Sequence, residues 1–326
     1  MSGQMWLLSL LAAAVPVLFY VALIYWVDRY EKEPWWLLAT AFLWGAIPAA
    51  LLALLFNTAL SLPLYALLNP GAAELVAGGF FAPIIEEIAK GIILVLIFFL
   101  WRQELDSPLD GLIYGALVGM GFAMVENVLY YQSAFAEGGQ AAWNSTVIIR
   151  GVIFGLSHAF YTALTGLGIA LARLSPSRPV RILAPLLGLG AAIFFHALHN
   201  VTMFSGVALG FLVGLTFDWG GVLLTVVIII LALARERQWM QHYLADEVTQ
   251  GTLTADEYTL VRSAAARNRR RLGLLLSDGP DAWRRSGRRY RECAELAYLK
   301  RHHAIFGDER SRAAAERLRE TLRAGV

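Results

Sequence analysis

Charge is scarce in this chain: 16% of its 326 residues are Asp, Glu, Lys or Arg, against 58% hydrophobic, and mean hydropathy is +0.56. That balance excludes a soluble domain of this length, because long runs with so few charges read as several membrane-spanning helices. Cysteine is almost missing as well. The single Cys293 excludes an internal disulfide framework and any Cys-rich metal site. The opening stretch MWLLSLLAAAVPVLFYVALIYW lacks the basic start and the small-residue cleavage site of a signal peptide. At about 22 residues it is long enough to span, so it reads as a retained helix. There is no H-E-x-x-H pair of metal ligands. Nor does an internal repeat, or a pair of broken helices, mark two matching halves.

What is present is a series of apolar stretches of spanning length, at roughly 5–27, 36–60, 80–101, 110–132, 146–172, 181–204 and 207–234. The last is interrupted by Asp218 and by Gly220 and Gly221. The connections 28–34, 102–108 and 173–181 carry Lys or Arg, whereas 61–79 and 131–145 carry none. Basic loops stay cytoplasmic, which predicts an N-terminus outside and an Arg-rich C-terminal segment inside. About two thirds of the Lys and Arg residues follow Trp219. The expected fold is therefore all-α: a polytopic membrane helical bundle of about seven transmembrane helices over 1–234, then a small cytoplasmic basic helical tail over 235–326. In the tail, Thr254 and Glu257 form a T-x-x-E capping box. The run RNRRR (267–271) suits either anionic lipid headgroups or a solvated charged face, and nucleic acid is not an expected partner.

Ionisable groups stand inside these apolar stretches, each costing roughly 2.5–3.5 kcal/mol to insert unless something offsets it. They are Glu86, Glu87 and Lys90 in EEIAK, Glu126 in GFAMVEN, His158 in GLSHAFYT, and His196, His199 and Asn200 in FFHALHN. With the topology above, four helices bring them to overlapping depths toward the outer side, His158 near the middle. His196, His199 and Asn200 share a helix face. Glu86 and Lys90 are spaced to pair, as are His158 and Thr162. Glu87 is rotated by about 100° from Glu86, so the two cannot address one atom. Each group alone has a plain explanation. Pro83 suits a first helical turn, where carboxylates favour the helix dipole, and a single Glu126 or His158 serves helix packing. GALVGMG (115–121) reads as a close-packing surface. Taken jointly, the convergence is what an active site inside a helical bundle requires, with a carboxylate to activate water.

EEIAK, DGLIYGALVGMGFAMVEN, RGVIFGLSHAFYTALTG and HALHN, in that order, resemble the PrsW family of intramembrane proteases. That family is distantly related to the CAAX-processing prenyl endopeptidases. DRYEKEP, before the second span, is similar to an acidic Glu-Pro segment of PrsW proteins. The resemblance covers roughly residues 20–205 and leaves out the tail. Matched motif by motif, it implies catalytic roles for Glu86, Glu87, Glu126, His158, His196 and Asn200, with Lys90 and Phe122 completing the first two elements. CAAX relatives end the second element in histidine, and Glu126 follows the PrsW pattern instead. Two schemes fit. In one, Glu126, His158 and His196 hold Zn²⁺, with His199 available as a further ligand, and Glu86 or Glu87 is the base. In the other, a glutamate activates water without a metal, and His196 and Asn200 stabilise the oxyanion. The resemblance further implies a multi-pass protein of the cell membrane. Its substrate would be a membrane-anchored protein cut near the outer face, anti-sigma factors being the family's best-known kind. The alternatives are a proton- or cation-coupled transporter and a catalytically silent scaffold.

Overall fold

A computed structural model describes residues 3–30 and 32–324, and among them the regular structure is entirely helical. The chain divides into two compact units. One comprises 1–27 and 33–229, the other 28–32 and 230–326.

The first unit is built from α1 (Gly3–Val27), α2 (Trp35–Leu67), α3 (Ala82–Leu100), α4 (Pro108–Thr146), α5 (Ser157–Leu174), α6 (Arg178–Phe204) and most of α7 (Ala208–Tyr243). Among the described residues, five helical stretches are long and apolar enough to cross a bilayer: Gly3–Val27, Trp35–Leu67, Pro108–Leu174, Arg178–Phe204 and Ala208–Thr249. The apolar stretches read from the sequence map onto these with two differences. The 19-residue α3 carries Glu86, Glu87 and Lys90, which keeps it out of the five on composition. The fourth and fifth stretches form one helical run of 67 residues. Gly139 breaks that run with φ 64° and ψ −155°, a conformation that glycine adopts without a Cβ penalty. Further on, Val147–Ile153 winds as a π-helical segment and stops at Phe154, so α5 starts afresh at Ser157.

Local chemistry explains the helix starts. Ser107 caps α4: its Oγ accepts from the Leu109 amide (3.1 Å), while Asp110 Oδ2 accepts from the Ser107 amide (2.7 Å). Pro108 then takes the first helical position, where a missing amide costs nothing. α3 has no such free start. Helical backbone runs into it from Pro70–Glu74 through the π-helical segment Leu75–Phe81. Glu86 and Glu87 therefore do not sit at an open helix N-terminus, and the helix dipole does not account for them.

Glycine lets α4 lie directly on α5. Gly111, Gly115 and Gly119 recur every fourth residue and share one face. A Cβ at Gly115 would stand 2.4 Å from the Thr162 carbonyl oxygen, and one at Gly119 only 2.2 Å from that of His158. The GALVGMG stretch is this close-packing surface, and it fixes the depth at which α5 presents His158. Trp44 Nε1 donates to the Ala89 carbonyl (3.0 Å) and ties α2 to α3.

The second unit adds α8 (Ala245–Thr249), α9 (Ala255–Val261), α10 (Ala264–Ser277), α11 (Gly279–Phe306) and α12 (Glu309–Ala324). Its core gathers Met240, Leu244, Val261, Cys293, Leu296 and Leu322. The capping box at Thr254 and Glu257 forms with both hydrogen bonds in place. Glu247 is fully buried and takes two bonds from Arg319 (2.9 and 2.7 Å) and one from Lys300 (2.7 Å). Arg267 is buried too, donating to the carbonyls of Tyr30 (3.1 Å) and Arg29. The first arginine of RNRRR is thus an internal clamp, and Arg269 and Arg270 are its exposed arginines.

Two measurements follow from this packing. Gly119→Val is expected to overpack the α4–α5 contact by about 1–3 kcal/mol and to lower the thermal midpoint in detergent. Gly190→Val, where an added Cβ meets nothing within 4 Å, is expected to leave the midpoint unchanged. Cys293 is 1% exposed, and burial pushes its thiol up to about 12. Thiol-reactive reagent at pH 8 is expected to label it only after denaturation, with one thiol then titrated per chain.

Candidate active site

The site is assembled around α3. Glu87 is fully buried and fully engaged. Its Oε1 accepts from Lys90 Nζ (2.8 Å) and lies 3.0 Å from His196 Nδ1, while Oε2 accepts from Thr162 Oγ1 (2.9 Å). An ionised carboxylate only accepts, so the proton between Glu87 and His196 belongs on Nδ1. That leaves His196 Nε2, 3.7 Å from Glu86 Oε2, as the nitrogen carrying the lone pair.

Lys90 has no exposed surface. Besides Glu87 it meets Glu86 Oε2 at 3.6 Å and His158 Nδ1 at 3.2 Å, and its ammonium lies 3.8 Å from the centre of the Phe122 ring. Glu86 is held differently from its neighbour. Oε1 accepts one long bond from Asn57 Nδ2 (3.3 Å), and Oε2 is buried with no hydrogen-bond partner. The expectation that adjacent glutamates cannot address one atom does not hold, since both close on Lys90 Nζ, at 3.6 and 2.8 Å. They differ instead in that one carboxylate is saturated and the other half free.

His158, on α5, joins this group to a second charged pair. Its Nε2 is 2.8 Å from Glu126 Oε2, which also accepts from Arg150 Nη2 (2.5 Å). Arg150 Nε donates to Asn127 Oδ1 (2.9 Å), and the guanidinium covers the Tyr130 ring at 3.7 Å. The two imidazoles lie 5.0 Å apart, centroid to centroid, at 88°, and Tyr161 stacks on His196 at 4.9 Å and 17°.

Glu86, Glu87, Lys90, Glu126, His158 and His196 thus come together, whereas His199 and Asn200 face other partners. Asn200 Nδ2 donates to the Gly78 carbonyl (2.8 Å), pinning α6 to the π-helical segment before α3. His199 Nδ1 donates to Asp218 Oδ2 (2.7 Å) on α7. Sequence reasoning missed Arg150 and the role of Asp218. Both were visible as lone charges in apolar stretches, the signal that had singled out Glu126.

A metal ion has a candidate seat here. Glu86, His158 and His196 each offer one ligand atom, and the three lie within 4.8 Å of one another. The unpartnered Glu86 Oε2 and the lone pair on His196 Nε2 fit such an ion, as does the carboxylate of Glu87 behind His196. Both nitrogens of His158 are engaged, by Lys90 and Glu126, so a metal would replace one of those contacts.

Buried carboxylates and imidazoles inside a bundle of apolar helices define a membrane protein with an acid–base site in its interior. The family profile described as PrsW family intramembrane metalloprotease matches residues 33–234, more than half of the chain. The chain belongs to that family. Protease PrsW of Geobacillus kaustophilus is 29% identical over 160 residues, covering 48% of this chain and 64% of that protein. Protease PrsW of Clostridioides difficile is 27% identical over 222 residues (68% and 85%). That of Shouchella clausii is 29% identical over 198 residues (60% and 83%). The chain therefore covers less than two thirds of the Geobacillus protein and more than four fifths of the other two. No solved structure gives a significant match.

The Arg150–Glu126 pair generates its own test. Arg150→Met leaves the half-buried Glu126 carboxylate with His158 alone and is expected to destabilise the protein by about 1–3 kcal/mol in thermal unfolding. Adding Glu126→Gln to that variant is expected to restore most of the loss.

Proposed function

We propose that this chain hydrolyses a peptide bond in a membrane-anchored protein, an anti-sigma factor being the kind implied by the family, and that it does so as a multi-pass protein of the cell membrane. Residues 1–234 carry the reaction and 235–326 form a cytoplasmic tail. The chain crosses the bilayer seven times from an N-terminus outside, with α3 as one crossing and Pro108–Leu174 as two. Chain length supports this count, since the 67-residue run, interrupted at Gly139 and at Phe154, follows a path of about 100 Å against a hydrocarbon core of about 30 Å.

One observation carries the assignment of roles: within the Glu86–Glu87 pair, the oxygen left without a donor is Glu86 Oε2. Glu86 is the reacting carboxylate, taking a proton from the attacking water through that oxygen. Glu87, with its three bonds, positions His196 and Lys90. Lys90 compensates the charge on Glu87 and lies 3.6 Å from Glu86 Oε2, and His158 and His196 flank the place where the water is activated. The amide of Asn200 is already engaged with Gly78, so oxyanion stabilisation rests on the flanking imidazoles.

A second reading, favoured by the 4.8 Å grouping and by the family's description, assigns a Zn²⁺ to Glu86, His158 and His196. Zinc, when bound, supplies Lewis acidity and a more acidic water. His199 and Glu126 are then outside the ligand set. Glu126 fixes His158, and His199 belongs to the neighbouring Asp218 group.

Metal analysis of detergent-purified wild type beside His158→Ala and His196→Ala separates the two readings. One equivalent of zinc lost in both variants establishes the metal site, and a metal-free, active wild type establishes the glutamate scheme. Glu86→Gln is expected to abolish cleavage by at least two orders of magnitude with the fold intact. A Glu86→Gln variant that cleaves like wild type would overturn the assignment.

A further inference from the structure

We propose that Asp218, on α7, is a positioning residue of this active site, holding the two imidazoles beside Glu86 in place through Ser157 and Tyr161. The proposal rests on the reading of the site given above.

Asp218 is the one ionisable side chain in the apolar stretch 207–234, and it is 2% exposed. An acid inside a membrane helix is costly to keep unless partners offset it. Three donors converge on it. Ser157 Oγ and His199 Nδ1 reach Oδ2 at 2.8 and 2.7 Å, and the Tyr161 hydroxyl reaches Oδ1 at 2.7 Å.

Each of the two α5 donors leads straight to the site. Ser157 is the first residue of α5 and precedes His158. Its anchor therefore sets where α5 begins after the break at Phe154, and with it the placement of the His158 backbone. Tyr161, one turn further on, is the ring stacked on His196. With its hydroxyl fastened to Asp218, that ring forms a fixed wall behind His196.

A small chamber joins the two groups. Its volume is about 20 Å³, enough for a single water, and Asn127, Arg150, Ser157, His158, Tyr161 and His199 line it. All three Asp218 donors are in that lining, together with one of the two imidazoles. α7 also lies close against α5 here, since a Cβ at Gly221 would fall 2.1 Å from the Phe160 ring. Asp218 thus ties α7, α5 and α6 together next to the reacting groups. A partner bonded directly to a metal-holding histidine typically contributes about 10–100-fold to metal affinity or activity, and Asp218, one contact further out, falls at the low end of that range.

The test uses the full chain in detergent with ¹³C-labelled histidine, whose six side chains are assigned by substitution, and Co²⁺ as the metal probe. Asp218→Leu is expected to move the His196 ring resonance away from its stacked position and to weaken Co²⁺ binding about tenfold. Asp218→Asn, which keeps one acceptor oxygen, is expected to restore part of both. In a Tyr161→Leu background, Asp218→Leu is expected to change the His196 signal little further. Thr216→Val, a polar change elsewhere on α7, is expected to alter neither readout. Should Asp218→Leu fail to fold, Asp218→Asn and Tyr161→Phe decide the matter by the same signals. Folded Asp218 variants with wild-type His196 resonance and Co²⁺ affinity would overturn the proposal. A wild type that binds no Co²⁺ removes the metal reading alone, and the histidine resonances then decide the role of Asp218.

Discussion

A lysine ammonium with no exposed surface holds this site together. Lys90 lies within 3.6 Å of both α3 glutamates and reaches His158 as well. Removing one partner from a buried ion pair typically costs about 3–5 kcal/mol, because the other charge is left without water or counter-ion. α3 can therefore be inserted only as a neutralised unit, and the elements that complete that unit have to close around it. Arg150 plays the same part for Glu126 on the far side of His158. Three carboxylates then face two permanent cations, and the uncompensated negative charge falls on Glu86, the one whose oxygen lacks a donor. A proton or a metal ion satisfies that excess, and either one is what peptide hydrolysis uses.

Packing supplies the precision this electrostatic arrangement needs. Hydrophobic burial gives no net attraction between helices surrounded by lipid, so close backbone approach has to do more. The small face of α4 provides it, bringing α5 in until carbonyl oxygens stand where side chains would be. Leu75–Phe81 before α3 and Val147–Ile153 before α5 are wound as π-helix, a distortion found often at functional sites. One leads into the helix that carries the glutamates, and the other supplies Arg150 and ends just before Ser157.

The second unit obeys the ordinary rules of a water-soluble helical domain, with a compact apolar core, a capping box and a buried carboxylate met by Lys and Arg. Its arginines account for most of the positive charge in the chain. The family profile ends at residue 234, so residues 235–326 lie outside it.

By itself the sequence determined the helical class, the apolar stretches and the residues of the EEIAK, MVEN, SHAF and HALHN elements, because hydropathy and a period of 3.6 are local properties of the chain. The fixed angle between helix neighbours turned Glu86 and Glu87 apart, yet both close on Lys90 Nζ, because a long side chain spans that arc. Only the tertiary structure decided which of the two is saturated. The contact that settles it, Glu87 to His196, joins residues 109 apart, and no local period encodes such a distance. The same holds for Arg150 against Glu126 and for Asp218 against Ser157 and Tyr161. Their charges were legible but their partners were not. His199 and Asn200 share a helix face with His196, yet they turn to Asp218 and Gly78. A common face fixes direction to within a wide arc, and the neighbouring helices choose which side chain within that arc meets the site.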